Sequence, residues 1–196
     1  RKLKSFPTKK KEILFVGRLV IEKGVHLYVD AIKEIAQKYP EWSFGIIGSF
    51  KLGDNKHRNF YSDYIIKKTK AIGHQAQFYG FKNQEFVEEK MKNASIVVIP
   101  STWEEPFGLV AAEAMSYGAC IIASKVGGIP EIIKDNGILI DKINLKKLSS
   151  KIEFLIKNKN VRENYQRKAW KNFQLSSEVS SEKLDHFRKQ ISLKYF

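Results

Sequence analysis

Short apolar runs alternate along this chain with longer segments in which apolar residues recur every three or four positions. Six short runs predict buried β-strands, at residues 12–17, 42–47, 77–79, 95–99, 120–123 and 138–140. The segments that follow them have helical periodicity, which predicts helices at 25–39, 61–72, 84–93, 109–117, 128–134 and 145–156. The pattern is that of an α/β protein in which a helix follows each strand.

The order of these elements also indicates how the strands pair. Short hairpin turns between consecutive strands are absent, so we expect parallel pairing through right-handed crossovers. The predicted fold class is α/β, a Rossmann-like doubly wound parallel sheet of about six strands. Ligands of such sheets bind beyond the carboxyl ends of the strands, which places the loops at 17–24, 48–55, 80–83 and 100–108 at one edge.

The chain divides into three parts by composition. Its 196 residues, 43% of them apolar, suffice for about one domain with its own core. Residues 1–11 are polar and begin with Arg rather than Met, and we interpret them as a linker from a missing N-terminal domain. Residues 12–158 form the predicted Rossmann-like domain, and residues 159–196 a C-terminal helical extension. The apolar residues of this extension are Tyr165, Ala169, Trp170, Phe173, Leu184, Phe187 and Ile191. They either cover the domain's own sheet or dock on the missing neighbour.

The net charge widens the range of candidate partners. It is +14, from 35 Lys and Arg against 21 Asp and Glu. Nucleic acid, an anionic membrane surface and nucleotide phosphates all suit such a charge. The lysines are scattered along the predicted helices and do not alternate with aromatic residues, which argues against a nucleic-acid surface. Most of the charge is therefore expected on solvated helix faces.

Cysteine content and hydropathy bear on the compartment. Cys120 is the only cysteine, which excludes an intrachain disulfide and fits a reducing environment. Its place in an apolar run predicts a buried, unreactive thiol. No apolar stretch approaches the ~20 residues of a transmembrane helix, and the N-terminus has no signal-peptide pattern. We expect a cytoplasmic protein, with peripheral attachment to the inner face of the membrane left open.

Two cations lie in a glycine-bounded loop after the first predicted strand. The sequence GRLVIEKG at residues 17–24 places Arg18 and Lys23 five positions apart, just before a helix. Arg18 offers a fork of hydrogen-bond donors, Lys23 a point charge, and the helix start the positive end of its dipole. These groups suit a diphosphate, and the octapeptide by itself is equally compatible with an ordinary surface turn.

Two carboxylates, Glu105 and Glu113, stand eight positions apart in EEPFGLVAAEAM at residues 104–115. If a helix starts near Gly108, Glu113 lies one to two turns into it, while Glu105 lies in the preceding loop. Both then reach one ligand that spans loop and helix, and the backbone N–H groups of residues 107–109 point toward an anion. The alternative is a pair of acids that only complement the helix dipole.

The sequence lacks the motifs of several other kinds of functional site. The four histidines, His26, His57, His74 and His186, have no Cys or carboxylate at ligand spacing, so no zinc site is predicted. The chain has neither the Gly-x-Ser-x-Gly of a serine hydrolase nor the Gly-x4-Gly-Lys-Ser/Thr of a P-loop nucleotidase.

Four segments together resemble one enzyme family. They are GRLVIEKG at 17–24, FYGFKNQEF at 78–86, ASIVVIPSTWEEPFGLVAAEAMSYGACIIAS at 94–124 and VGGIPEII at 126–133. The most specific part is the spacing of Glu105 and Glu113, which the GGxPE pattern follows. On these residues the sequence resembles family 4, or group 1, of the retaining glycosyltransferases, which have the two-domain GT-B fold. The match corresponds to their C-terminal, donor-binding domain.

The resemblance implies a site for a nucleoside-diphosphate sugar, with UDP expected ahead of GDP and ADP. It implies three catalytic residues: Arg18 and Lys23 stabilise the departing diphosphate without a metal, and Glu105 faces the hydroxyls of the donor sugar. It also implies that Glu113 binds the ribose hydroxyls. The remaining implied binding residues are Gly17, Phe81, Phe107, Gly108, Leu109 and Val110.

For the whole protein, the resemblance implies a hexosyltransferase of polysaccharide biosynthesis that retains the anomeric configuration and needs no cofactor besides its donor substrate. The missing N-terminal domain would bind the acceptor, so this chain alone is expected to bind donor and scarcely turn over. An anionic membrane surface is a further expected partner, and nucleic acid is not.

One loop departs from the family pattern, and two other functions stay open. Gly48-Ser49-Phe50 stands where the family often has Gly-Asp-Gly, and the polar stretch KLGDNKHR at 51–58 follows it. Donor contacts from this loop are therefore in doubt. The alternatives are a catalytically silent module for nucleotide-sugar binding or assembly, and a basic peripheral-membrane adaptor.

Overall fold

The computed structural model of the protein describes residues 5–51 and 59–173, and its strands and helices alternate as predicted. The strands are β1 Lys10–Val16, β2 Ser43–Ile47, β3 Ala76–Gly80, β4 Ala94–Ile99, β5 Cys120–Ser124 and β6 Gly137–Ile140. The α-helices are α1 Val25–Lys38, α2 Phe60–Lys70, α3 Gln84–Asn93, α4 Leu109–Ser116, α5 Ile129–Ile133, α6 Leu145–Lys157 and α7 Lys159–Asn172. A 3₁₀ turn at Ile21–Lys23 has no counterpart among the predicted elements. None of the helices in these ranges combines the length and the hydropathy of a membrane-spanning segment.

The six strands form one parallel sheet in the order β3-β2-β1-β4-β5-β6. Leu14 of β1 pairs with Gly45 of β2 on one side and with Val97 of β4 on the other. The chain builds the sheet outward from β1 in one direction and then returns to add β4, so the sheet is doubly wound, as predicted. The reversal leaves a crevice at the carboxyl ends of β1 and β4, where ligands of such folds bind.

Two apolar layers cover the two faces of the sheet, because side chains alternate along each strand. Ile13 and Phe15 pack in the layer that includes α1, α2 and α6, whereas Leu14 between them packs in the layer of α3, α4, α5 and α7. All three side chains are buried. Each strand is fixed from both faces, so the loops that follow the strands start from rigid positions.

The last described helix, α7, packs on the domain itself. Ala169 and Phe173 belong to the layer on the α4 face, and Tyr165 packs against the opposite layer. In this segment the apolar residues therefore cover the domain's own sheet. The second apolar segment of the extension, at 184–191, lies outside the described residues.

Cys120 is fully buried at the start of β5, and burial raises the pKa of its thiol well above the ordinary value. The reactive form of cysteine is the thiolate, which this environment disfavours. The structure thus agrees with the prediction of a buried, unreactive thiol.

A buried ion pair fixes α3 against the sheet. The side chain of Glu12 in β1 is 7% exposed and accepts a hydrogen bond from Lys90 Nζ of α3 at 2.9 Å. Lys90 Nζ also donates to the hydroxyl of Tyr79 in β3 at 2.6 Å. Removing one partner of such a pair leaves the other charge buried and uncompensated. The pair therefore holds the position of α3, whose first turn reaches the carboxyl edge of the sheet.

We expect Lys90→Met to lower the free energy of unfolding by about 3 kcal/mol, because it leaves the Glu12 carboxylate buried without its partner. The double variant Glu12→Gln/Lys90→Met should lose less, since it buries no unpaired charge. Urea denaturation measures each protein. Lys157→Met, which removes an exposed pair with Glu153, is the control. Equal losses in Lys90→Met and in this control would contradict a structural role for the buried pair.

Candidate functional site

A cleft of about 570 Å³ opens at the carboxyl ends of β1, β2 and β4, where the strand order reverses. The loops after these strands and the first turns of α3 and α4 form its walls. The ten site residues predicted from the sequence all line this cleft: Gly17, Arg18, Lys23, Phe81, Glu105, Phe107, Gly108, Leu109, Val110 and Glu113. The fold thus brings together residues from three separate segments, while their individual roles stay predictions.

The loop after β1 is held by hydrogen bonds to β2 and to the loop that follows it. The backbone N–H of Gly17 donates to the carbonyl of Ile47 at 3.0 Å, and that of Leu19 to the carbonyl of Ser49 at 2.9 Å. Leu19 is buried, and Arg18 between the two anchors is exposed and lines the cleft. The backbone on both sides of Arg18 is therefore fixed while its guanidinium stays accessible to a ligand.

Gly48 follows β2 at the point where these two loops come closest. Its φ is 144°, and a Cβ there would lie 1.9 Å from the carbonyl oxygen of Gly17. Only glycine tolerates both the conformation and the approach. The chain departs from the family pattern after Gly48 and keeps the glycine that the packing requires. Ser49, the next residue, lines the cleft. Residues 52–58 of the polar stretch lie outside the described residues.

The 3₁₀ turn brings Lys23 to Glu105. Gly24, which ends the turn, has a φ of 66°, and a Cβ there would lie 1.9 Å from the carbonyl oxygen of Pro100. A main-chain hydrogen bond of 2.8 Å joins Thr102 to the same turn. These contacts seat the turn on the loop after β4, so two residues from distant parts of the sequence become neighbours.

Glu105 is the centre of a small polar cluster. Its Oε1 accepts hydrogen bonds from Lys23 Nζ at 2.5 Å and from Ser101 Oγ at 2.7 Å. Glu105 and Ser101 are buried, so these bonds fix the carboxylate where water competes little. Both donors bind the same oxygen, and within the described part of the chain Glu105 Oε2 accepts no hydrogen bond. Oε2 is therefore the oxygen that the cluster leaves for a ligand.

Two glycines after β5 support the Glu105 loop from the other side. The N–H of Gly128 donates to the carbonyl of Glu105 at 2.7 Å, and the N–H of Gly127 to the carboxylate of Glu104 at 2.5 Å. Gly127 has a φ of 52°, and a Cβ there would lie 2.2 Å from the Glu105 carbonyl oxygen. Neither glycine lines the cleft. The glycines of the GGxPE pattern thus serve to hold the loop in place.

Helix α4 begins at the cleft with an uncapped N-terminus. Gly108 precedes the helix in the left-handed conformation and provides no side-chain cap. Across the ranges that the structure describes, the N–H groups of residues 107–109 donate no hydrogen bond. Together with the helix dipole, these groups favour an anion at this end of the cleft.

Glu113 lies in the second turn of α4, half-buried in the cleft wall. Burial raises the pKa of its carboxyl group, a hydrogen bond from the side chain of Gln84 opposes the rise, and the nearby carboxylate of Glu88 adds to it. Gln84 is the first residue of α3, and like Glu113 it lines the cleft.

Several residues of the cleft are not among those predicted from the sequence. They include Ser49, Lys82, Gln84, Val87 and Ser101. Lys82 adds a third cation, and its Nζ lies 5.2 Å from the centroid of the Phe86 ring. All of these except Val87 follow within a few positions of a predicted strand. The rule that ligands bind beyond strand ends was therefore the signal that pointed to them.

Within the described ranges, no group of three or more His, Cys, Asp or Glu side chains is arranged to hold a metal ion. His26 pairs with the hydroxyl of Tyr61, 2.8 Å from its Nδ1, and His74 is exposed. The other two histidines, His57 and His186, lie outside these ranges.

The chain belongs to the group 1 glycosyl transferases, because the model of the family "Glycosyl transferases group 1" matches residues 1–172. Its sheet and flanking helices match the C-terminal domain of GT-B glycosyltransferases in solved structures. The resemblance that the motifs indicated is thereby confirmed at the level of family and fold.

Two relatives give the extent of the similarity. An uncharacterized glycosyltransferase of Methanocaldococcus jannaschii is 38% identical over 151 residues, which cover 76% of this chain and 39% of that protein. Spore coat protein SA of Bacillus subtilis is 33% identical over 161 residues, which cover 79% of this chain and 41% of that protein. The chain thus spans about two fifths of the length of these relatives.

Solved structures share the fold. HepE of Anabaena in complex with UDP superposes with a TM-score of 0.71 at 23% identity, covering 92% of this chain and 49% of that one. The C-terminal domain of LpcC, a group 1 family glycosyl transferase from Francisella tularensis, has a TM-score of 0.69 at 25% identity. That match covers 84% of this chain and 85% of the other.

We expect Gly127→Ala to lower the free energy of unfolding by about 3 kcal/mol, because the new Cβ meets the Glu105 backbone and the positive φ is strained. Gly73→Ala is the matched control, since Gly73 also has a positive φ but nothing lies within 4 Å of its Cβ position. It should lose about 1 kcal/mol. Thermal and urea unfolding measure both variants. Losses of the same size would show that the close approach to Glu105 imposes no packing constraint.

Proposed function

We propose that this chain is the donor-binding domain of a retaining hexosyltransferase whose donor is a nucleoside-diphosphate sugar. UDP is the first candidate for the nucleoside diphosphate. The observation that carries the proposal is a cleft that combines three cations and a helix N-terminus with two carboxylates. A sugar nucleotide presents the complementary groups, an anionic diphosphate and the hydroxyls of ribose and sugar. The presence of UDP in the HepE complex supports the choice of ligand.

Arg18, Lys23 and the start of α4 are the proposed partners of the diphosphate. In transfer, the bond between sugar C1 and the phosphate oxygen breaks, and negative charge grows on the departing diphosphate. Preorganised cations and N–H groups stabilise that charge by several kcal/mol in a cleft shielded from water, without a metal ion. Lys23 has three donor hydrogens, so it can hold Glu105 and still donate to a phosphate oxygen. For retention, the acceptor oxygen attacks C1 on the face that the diphosphate leaves, and the leaving phosphate takes the acceptor proton.

Glu105 and Glu113 are the proposed acceptors for hydroxyl groups. Among the described residues none donates to Glu105 Oε2, and we assign this oxygen to the donor sugar. Glu113 is deeper along α4, and we assign it to the ribose. Phe81 follows β3 at the edge of the cleft, where it would contact the base.

The whole protein is proposed to have an N-terminal domain that binds the acceptor, joined through the residues that precede β1. The relatives extend well beyond the matched segment, which supports this division. The chain alone would then bind donor and scarcely turn over, and it would need no cofactor besides the donor. We place the enzyme in the cytoplasm and in polysaccharide biosynthesis, with its basic surface suited to acceptors at an anionic membrane.

Calorimetric titration of the chain with UDP, GDP and ADP tests the donor proposal. We expect one of them, UDP first, to bind, and Arg18→Ala and Glu113→Ala each to weaken that binding roughly tenfold or more. Each change removes a charged partner of the diphosphate or the ribose. Neither side chain belongs to the apolar core, so the fold should be retained.

Arg167→Ala and Glu89→Ala are the matched controls for this titration, because both remove exposed charges outside the cleft. They should leave the affinity unchanged. If the wild type binds none of the three nucleotides, or if the controls weaken binding as much as the site variants, the proposed site is wrong.

In the full-length protein, Lys23→Ala and Glu105→Gln should each lower kcat for sugar transfer by about 100-fold, the size of effect seen when a preorganised charge partner is lost. Transfer of labelled sugar from the donor that binds best is the measurement. Lys33→Ala, on an exposed face of α1, is the control. Wild-type transfer rates in both site variants would contradict the assigned roles. Donor binding without any transfer by the wild type would favour the silent binding module.

A further inference from the structure

Ser101 lies just after β4, in the loop that carries Glu105, and the backbone on both sides of it is fixed. The carbonyl of Pro100 lies against the end of the 3₁₀ turn, and the N–H of Thr102 donates to a carbonyl of the same turn at 2.8 Å. Ser101 itself is 1% exposed, although it borders the cleft. None of the roles implied by the family resemblance falls on it.

The hydroxyl group of Ser101 has one hydrogen, which it donates to Glu105. Ser101 Oγ lies 2.7 Å from Glu105 Oε1, and Lys23 Nζ lies 2.5 Å from the same oxygen. Because the bond from Ser101 is buried and its acceptor is charged, water competes with it little. Ser101 therefore fixes one oxygen of the carboxylate and leaves the other, Oε2, to which no described residue donates.

The two donors at Oε1 differ in how far a ligand can disturb them. Lys23 is a proposed partner of the diphosphate, so phosphate oxygens compete with Glu105 for its hydrogens. Ser101 is uncharged and buried, and its single hydrogen is already donated to Glu105. We expect the bond from Ser101 to persist when Lys23 turns toward a bound diphosphate.

A carboxylate that is held before binding favours its ligand. A glutamate side chain has three rotatable bonds, and a ligand that must order them binds more weakly. The backbone of Glu105 is also held, since its carbonyl accepts a hydrogen bond from the N–H of Gly128 at 2.7 Å. With Ser101 at the carboxylate and Gly128 at the backbone, Glu105 is fixed at both ends.

We propose that Ser101 is a positioning residue that holds the Glu105 carboxylate in place for the hydroxyls of the donor sugar while Lys23 contacts the diphosphate. This inference rests on the proposed function, because it takes Glu105 as the residue that binds the sugar. The sugar and the diphosphate then depend on different contacts. Loss of the Ser101 hydroxyl should impair recognition of the sugar and leave recognition of the nucleoside diphosphate intact.

Ser101→Ala removes the hydroxyl group and leaves the rest of the side chain. Ser95→Ala is the matched control, because Ser95 lies near the start of the same strand, is also buried, and lies outside the cleft. The Ser95 hydroxyl donates to the carbonyl of Lys10 at 2.5 Å, so both variants lose one buried hydrogen bond. Only one of these bonds reaches a residue of the proposed site.

Calorimetry with two ligands tests the inference. The first ligand is whichever of UDP, GDP and ADP the wild type binds best, and the second is the tightest-binding of its glucose, galactose and mannose conjugates. We expect Ser101→Ala to weaken binding of the conjugate roughly three- to tenfold, the range for ordering one side chain on binding. Its affinity for the nucleoside diphosphate should be unchanged, and Ser95→Ala should bind both ligands as the wild type does.

A second comparison separates positioning from a general structural role. In a Glu105→Ala background, Ser101→Ala should cause no further loss of affinity for the conjugate, because the hydroxyl then has no carboxylate to hold. A serine that only supports the fold of the loop would weaken binding in both backgrounds, and it would do so for both ligands.

Four results would overturn the inference while the nucleotide site stands. They are an equal loss of affinity for the two ligands in Ser101→Ala, wild-type affinity for both, a further loss in the Glu105→Ala background, and a wild type that binds the nucleotide but none of its conjugates. If the wild type binds none of the three nucleotides, the proposed function fails and the inference fails with it.

Discussion

In three places at the carboxyl edge of the sheet, two loops approach so closely that a Cβ has no room between them. Gly24 lies against the carbonyl of Pro100, Gly48 against that of Gly17, and Gly127 against the backbone of Glu105. Each contact is made by main chain rather than by side chain, so it holds the loops at fixed distances. The pairing of Lys23 with Glu105 and the exposure of Arg18 between anchored neighbours both follow from these approaches.

The electrostatics of the cleft differ from those of the chain as a whole. The net charge is +14, yet the cleft combines the cations Arg18, Lys23 and Lys82 with the carboxylates Glu105 and Glu113. A simple basic surface would attract any polyanion, whereas a site that mixes cations and carboxylates discriminates among anions. Among the described residues, the lysines and arginines of the α-helices lie outside the cleft, where they bear on approach to partners more than on recognition.

The sequence determined the fold well because its signals are local and repeated. The alternation of apolar runs with helical periodicity predicted all six strands, and the helix 84–93 has the predicted bounds. Boundaries shifted by one or two residues elsewhere, as at the start of β1, which begins at Lys10 rather than at residue 12. The 3₁₀ turn was missed because three residues carry no periodic signal.

The candidate site was predictable in its members and not in its contacts. Glycine-bounded loops and the spacing of two glutamates single out Arg18, Lys23, Glu105 and Glu113, and the structure places all of them at one cleft. The bond from Lys23 to Glu105 has no comparable signal, because it joins two loops that only the tertiary fold brings together.

The glycine contacts also separate the shape of the site from its chemistry. Because main chain sets the loop positions, exposed side chains such as Lys82 and Gln84 can be exchanged while the backbone beneath them stays in place. Such positions offer short mutational routes to new ligand preferences, since each step changes the cleft lining at little cost in folding. A combinatorial library limited to these two residues would explore specificity on an intact scaffold, whereas randomising the glycines would mostly yield proteins that do not assemble a cleft.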